Sequence, residues 1–298
     1  MRIFLTGGTG FVGSAVMKEL IDAGYEIIAL ARSEAAANLL RDEGVQVYFG
    51  NLEEPESLRK GIELADGVIH TAFNHDFSNF KNNCEMDRRV IEAIGTMIKG
   101  SNHPFLITSA IGVLPQGKLV TEENMPDFGL SAHFRAATEE AAELVRKNGG
   151  RVSVIRLAPT VHGEGDHNFI PTLIKIAREK GVSAYIGEGE NRWPAVHRLD
   201  AAKLYRLILE NDYNGERFHA VGEEGIPFKE IAYAIGRGLN VPVVSITAEK
   251  ATEHFGWFSN FAKLDIPASN RLTREKLGWQ PSQDGLLEDL LEGHYFRA

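Results

Sequence analysis

The sequence predicts an α/β fold, a doubly wound parallel sheet with a smaller C-terminal lobe. Short β-rich runs alternate with helical patterns through the first half of the chain, a glycine-rich turn joins the first run to the first helix, and the alternation breaks after Arg156. Strands and helices in strict alternation build βαβ units, and right-handed crossovers then place helices on both faces of the sheet.

Arg2–Thr6 is a short apolar strand, and Phe11–Ala23 has helical spacing through Val12, Val16 and Leu20 before Gly24. Glu26–Leu30 is the next strand, followed by a helix over Glu34–Asp42. Val45–Tyr48 is the third strand, and Pro55–Lys60 a short helix. Asp66–His70 is the fourth strand, with a longer helix over Asn79–Lys99. Pro104–Thr108, a helix over Ser131–Lys147 and a sixth strand over Val152–Leu157 complete the alternation. Loops rich in Gly, His and Pro follow, Ala158–Phe169 and Gly187–Pro194, and helices dominate the rest. The expected organisation is a nucleotide-binding core over 1–157, to which 196–220 returns, and a lobe over 158–195 and 221–298. That lobe would cover the sheet's carboxyl edge, where ligands of open α/β sheets bind.

Composition permits this. The 298 residues are 43% hydrophobic and 24% charged, proportions that bury a core without staples. No apolar run approaches the roughly 20 residues of a membrane span, and the opening strand leads straight into the glycine turn, leaving no room for a signal peptide. Cys84 is the only cysteine, which suits a reducing compartment. A formal charge of −9 argues against coating nucleic acid and permits a small anionic ligand. A cytoplasmic protein with a small-molecule substrate, and no nucleic-acid or membrane partner, is expected. The histidines lack His-x-x-x-His spacing on a helix and there is no cysteine cluster, so no metal is assigned.

The turn Thr6-Gly7-Gly8-Thr9-Gly10-Phe11-Val12-Gly13 has glycines at three spaced positions. Gly7 permits the tight turn, Gly10 lets backbone approach a pyrophosphate, and Gly13 lets helix and strand pack closely. The helix that starts at Phe11 presents free N–H groups and a partial positive charge to that anion.

Thr-Gly-x-x-Gly-x-x-Gly in this setting resembles the fingerprint of the extended short-chain dehydrogenases/reductases of the NAD-dependent epimerase/dehydratase type, and the resemblance runs over nearly the whole chain. It implies a Rossmann-type fold, a nicotinamide dinucleotide held by Gly7, Thr9, Gly10, Phe11, Val12 and Gly13, and a substrate-binding C-terminal lobe. Gly50-Asn51-Leu52 looks like the family's Gly-Asp-Leu beside the adenine, with Asn51 in place of Asp. Val68-Ile69-His70-Thr71-Ala72 looks like the fourth-strand motif, which implies that Thr71, Ala72 and Phe73 touch the cofactor. Arg156-Leu157-Ala158-Pro159-Thr160-Val161-His162-Gly163 resembles the segment beside the nicotinamide, which puts Pro159 and Val161 against it. Val196–Ala202 resembles the family's Val-x-x-x-Asp-x-Ala, although Asp200 also reads as a natural N-cap for a helix over Ala201–Glu210.

The second strand ends Ala31-Arg32-Ser33, without the acid that binds an NAD ribose. A guanidinium and a hydroxyl there suit the 2′-phosphate of NADP. NADP is the expected cofactor.

Family members use Ser, Tyr and Lys, the last two spaced Tyr-x-x-x-Lys on one helix face. Here Arg135 takes the lysine's place and Ser131 the tyrosine's, or, in another register, His133 takes the tyrosine's and the cation is lost. Arg135 can orient a ribose, whereas Ser131 cannot replace a phenol as an acid. Ser109 is the nearest hydroxyl to the family's serine position. His75, after the fourth strand, and His133 are the first candidates for the proton, ahead of His162, His167 and His197. Trp257-Phe258-Ser259-Asn260-Phe261 reads as lobe core before substrate wall. An NADP-dependent oxidoreductase of the atypical extended type, acting on a small or mid-sized carbonyl or alcohol, heads the possibilities. A non-catalytic NADP sensor follows, motivated by the missing Tyr and Lys, and nucleotide-sugar epimerase or dehydratase chemistry comes last. The helices over Asn79–Lys99 and Ser131–Lys147 could join two copies in a homodimer.

Overall fold

The computed structural model describes residues 1–129, 133–291 and 294–296. In chain order the strands are β1 (Arg2–Thr6), β2 (Glu26–Ala31), β3 (Gln46–Phe49), β4 (Gly67–His70), β5 (Pro104–Ala110), β6 (Arg151–Leu157), β7 (Thr160–His162), β8 (Ser183–Ile186), β9 (Arg192–His197), β10 (Arg217–Ala220), β11 (Glu223–Pro227) and β12 (Val243–Ile246). The helices are α1 (Phe11–Asp22), α2 (Glu34–Asp42), α3 (Arg59–Glu63), α4 (Phe80–Met97), α5 (Ala137–Lys147), α6 (Phe169–Lys180), α7 (Arg198–Glu210), α8 (Phe228–Leu239), α9 (Ala251–Phe255), α10 (Ser259–Ala262), α11 (Arg271–Leu277) and α12 (Leu286–Leu291).

Seven parallel strands form the central sheet in the order β10-β6-β5-β4-β1-β2-β3, a Rossmann-type topology. Both faces are covered, so the strands read as continuous apolar runs. Along β1, Ile3 and Leu5 enter the core shared with α1 and α7, while Phe4 enters the opposite core with residues of α4 and α5. That alternation is the period of an extended chain. α1 packs on α7 and α4 on α5, one pair on each face.

A third apolar cluster, with Trp193, Phe228 and Phe258 fully buried at its centre, unites α6, α8, β9 and α12 into the C-terminal lobe. The lobe holds more strands than the sequence predicts: β11-β9-β7 form one small sheet and β12-β8 another. These strands are three to six residues long, and β9 and β11 contain Pro194 and Pro227, so neither alternation nor β-propensity marks them.

Two helix starts also differ from expectation. α5 begins at Ala137, after a 3-10 turn over Phe134–Ala136, so Arg135 lies outside the regular helix. α7 begins at Arg198, and its N-cap is His197, whose Nδ1 accepts from the Leu199 N–H. Asp200 is therefore not the cap. It is buried in the first turn and accepts hydrogen bonds from the Ser282 and Gln283 N–H groups. None of the described helices is long and apolar enough to cross a membrane.

Candidate functional site

Because the strands are parallel, β1, β2, β4, β5 and β6 all deliver their last residues to one edge. Thr6 leads there into the glycine turn. Gly7 has φ 78°, and a Cβ on it would stand 2.7 Å from the Ala72 nitrogen. A Cβ on Gly13 would stand 2.1 Å from the Gly7 carbonyl oxygen, so turn, helix and the end of β4 fit only with hydrogen at both positions. Gly10 N–H donates to Gly7 O at 2.9 Å. Gly10 is also the N-cap of α1, with no side-chain cap and no acid in the first turn. The N–H groups at Phe11, Val12 and Gly13 are left for an external acceptor, and Thr9 and Gly10 are exposed beside them. This cradle fits the pyrophosphate of a dinucleotide.

At the end of β2, Arg32 is exposed, with no carboxylate paired to it among the described residues. Ser33 caps α2 by accepting from Ala36 N–H at 3.3 Å, and Glu34 pairs with Arg41. After β3, the Asn51 side chain accepts from Glu53 N–H, and its own N–H donates to Ser57 Oγ at 2.9 Å. Leu52 packs against the α4 side core. The Thr71 hydroxyl donates to Thr6 O at 2.7 Å, and Ala72 N–H donates to Thr6 Oγ1. Pro159 is half-buried, whereas the Val161 side chain is buried in the α1 side core, leaving only its backbone for a ligand.

Arg135 is buried, and its guanidinium turns inward. Nη1 donates to Asp87 Oδ2 at 2.6 Å and to Thr138 Oγ1 at 2.8 Å, Nη2 donates to Thr108 O at 3.1 Å, and Cζ lies 3.7 Å from the Phe73 ring centroid. Asp87 also accepts from Thr138 and faces His70 Nε2 at 3.0 Å, while His70 Nδ1 meets Thr6 Oγ1 at 2.7 Å. Burial alone would raise the Asp87 carboxyl, but Arg135, His70 and Thr138 outweigh it and hold the pKa at about 2. The guanidinium expected to orient a ribose is engaged by the Asp87 carboxylate. The sequence did carry one sign of this pair: on α4, Asp87 interrupts an apolar face of Cys84, Val90, Ile91 and Ile94.

Ser109 is likewise turned inward. It is buried and donates to Glu139 at 2.8 Å, and Glu139 forms a two-pronged pair with Arg156. Ser131 lies outside the described residues. His75 and His133 both stand near Arg135. His133 Nδ1 accepts from Arg135 N–H, and the His75 ring meets Phe73 edge-on at 5.1 Å. Desolvation first, then the Arg135 charge, lower both imidazoles, with His167 adding to the effect on His75. His167 packs edge-on to Phe11 of the glycine turn at 5.9 Å, so it belongs to this edge as well. His162 does not: it is buried against Asp289 at 2.7 Å.

The aromatic run of the lobe divides. Phe258 is core, whereas Trp257 is 57% exposed and stacks on Phe77, just beyond β4, at 5.4 Å. On β9, Trp193 is fully buried and Arg192 is held by both oxygens of Asp265.

Comparison with known proteins fits this geometry. Residues 3–221 match the model of the NAD dependent epimerase/dehydratase family. An uncharacterized protein of Schizosaccharomyces pombe is 49% identical over 99% of this chain and 100% of its own length. The sterol-4-alpha-carboxylate 3-dehydrogenase, decarboxylating, of Dictyostelium discoideum is 28% identical over 77% of this chain and 74% of its own. Among solved structures, the dTDP-glucose 4,6-dehydratase DesIV of Streptomyces venezuelae, with NAD and TYD bound, superposes with a TM-score of 0.76 at 19% identity, covering 98% of this chain and 95% of that one. At that identity the likeness is one of fold.

Proposed function

We propose that this chain, which belongs to the NAD dependent epimerase/dehydratase family, is an NADP-dependent oxidoreductase acting on a small or mid-sized carbonyl or alcohol. The observation that carries the reading is Arg32: an exposed, unpaired guanidinium at the end of β2, with no acid before Glu34 and Glu34 itself paired to Arg41. A 2′-phosphate supplies the anion this site lacks, and a ribose 2′-hydroxyl does not.

When bound, the nicotinamide supplies or accepts the hydride, and the chain does the rest. The glycine turn binds the pyrophosphate through the first-turn N–H groups of α1. Arg135 is a positioning residue that holds Phe73, just beyond β4, and Asp87 of α4. Desolvation first, and then the Arg135 charge, lower the His75 imidazole and favour its neutral form, so it offers an N–H donor to a carbonyl oxygen without bringing a second cation beside Arg135. Substrates carrying a diphosphate find no free cation on β9, because Arg192 is paired with Asp265 and Trp193 is buried. This argues against nucleotide-sugar chemistry.

The test is calorimetric titration with NADPH and NADH, then turnover of NADPH against a panel of aldehydes, ketones and quinones. Arg32→Ala is expected to weaken NADPH about tenfold to a hundredfold, the worth of a charged hydrogen bond, and to leave NADH unchanged. Equal affinities for both cofactors in the parent protein would refute the NADP assignment. His75→Ala is expected to lower kcat about a hundredfold, as loss of one oxyanion donor does, with NADPH affinity retained. An unchanged kcat would remove His75 from the mechanism. The inward turn of Ser109 and Arg135 supports a second reading, an NADP sensor, which predicts tight NADPH binding with no turnover of any panel member.

A further inference from the structure

We infer that Arg198 is a second cationic contact to the dinucleotide pyrophosphate, closing over the glycine turn from the first residue of α7. The inference rests on the NADP-binding reading above and adds to it a residue on the opposite side of the phosphate cradle.

Arg198 stands where the chain leaves β9 and enters α7, and α7 packs along α1. Its Cζ lies 5.2 Å from the ring centroid of Phe11, the residue that opens α1. The same ring carries His167 edge-on at 5.9 Å, and Arg198 Nη1 would lie 3.7 Å from a Cβ placed on Gly165. A guanidinium and an imidazole thus both meet the ring that opens α1, whose N-terminus has no side-chain cap and no acid in its first turn. The other basic groups around it are accounted for: Arg206, two turns along α7, pairs with Glu19 and Glu210, and Arg192 pairs with Asp265. No carboxylate pairs with Arg198 among the described residues.

Its placement is electrostatically unfavourable as it stands. A helix N-terminus carries partial positive charge, and a cation in the first turn is repelled by it. The only acid in that turn, Asp200, is buried and engaged with Ser282 and Gln283. The uncapped N-terminus of α1 and a half-buried guanidinium at the head of α7 therefore meet at Phe11, with no carboxylate paired to that guanidinium among the described residues. A pyrophosphate answers both, and the planar guanidinium suits its oxygens. Phe11 gives the guanidinium a ring to rest on in the absence of the anion.

Calorimetric titration of the full chain tests this with two probes, NADPH and adenosine 2′-phosphate, which has the 2′-phosphate and no pyrophosphate. Arg198→Ala is expected to weaken NADPH about tenfold or more and to leave adenosine 2′-phosphate unchanged. Arg198→Lys, which keeps charge without the fork, is expected to fall between. The dependence of NADPH affinity on salt should become shallower in Arg198→Ala, since one ionic contact is gone. Arg32→Ala, in contrast, should weaken both probes. Unchanged NADPH affinity in Arg198→Ala overturns the inference, and so does an equal loss for both probes with an unaltered melting temperature. Loss of neither probe in Arg32→Ala would instead refute the 2′-phosphate site while leaving the Arg198 result to stand on its own.

Discussion

Asp87→Leu is expected to lower the unfolding free energy by about 3–5 kcal/mol, because it strands the Arg135 cation in the interior without its counter-ion. Asp87 is 4% exposed and Arg135 8%. Neither can reach water by a rotamer change without dismantling Thr138, His70 and Phe73 around it. Arg135→Met should cost a similar amount by leaving the carboxylate unpaired. The two changes together, Asp87→Leu with Arg135→Met, should cost less than the sum of the singles, since an apolar pair of similar volume removes both desolvated charges at once. Denaturant unfolding of the four proteins measures this, and strict additivity would show that the ion pair is not the unit of stability. The pH dependence has a definite sign. The folded carboxyl, at about pKa 2, lies below its ordinary value of 3.8, so the contribution is complete above about pH 4 and is lost as pH falls through 2. The double variant also tests function. Thr6, His70, Asp87, Arg135 and Phe73 form one chain of contacts from the glycine turn to the aromatic ring at the end of β4. A folded protein without the middle of that chain should bind NADPH more weakly although no residue proposed to touch the cofactor has changed.

How far the sequence could be read follows from the range of the interactions involved. The glycine turn and the first six of the seven core strands are local patterns, and the structure has them within one or two residues of their expected bounds. The exposure of Arg32 follows from its place after a strand end and before a helix cap. The Asp87–Arg135 pair joins residues 48 apart in sequence, and the Ser109–Glu139 bond residues 30 apart. No periodicity encodes such partners. The resemblance to relatives placed Arg135 and Ser109 at a catalytic position, and tertiary contacts then turned both inward. His197 was readable only as a loop histidine, because capping by an imidazole lies outside the usual Ser, Thr, Asp and Asn preference. The lobe strands were missed for a related reason: β8 and β12 are short and half-covered, and their pairing partner, not their composition, makes them strands.

His219 is expected to make the protein lose stability steadily as pH falls from about 6.5 toward 3. Its ring is fully buried on β10, Nδ1 lies 2.8 Å from the Ser269 carbonyl oxygen, and Nε2 lies 3.2 Å from Arg156 Nη1. A carbonyl can only accept and a guanidinium can only donate, so the ring carries its proton on Nδ1 and is neutral. Burial first, and then the Arg156 charge, push the imidazole down to about 3 from its ordinary 6.5. The unfolded chain takes up a proton through that interval and the folded chain does not, so stability is complete above about 6.5 and declines below it. The slope approaches about 1.4 kcal/mol per pH unit from this group alone over most of the window. His75, His133, His197 and His254, also lowered, act with the same sign, so the measurement is a difference. Unfolding free energies of the parent and of His219→Gln, which can both donate and accept, should converge as pH falls from 7.5 to 4.5. Parallel curves would show that His219 does not titrate on unfolding. Only near pH 3, where the folded ring itself takes up a proton, would His219 repel Arg156 and weaken its two-pronged hold on Glu139, which keeps the Ser109 hydroxyl turned into the core.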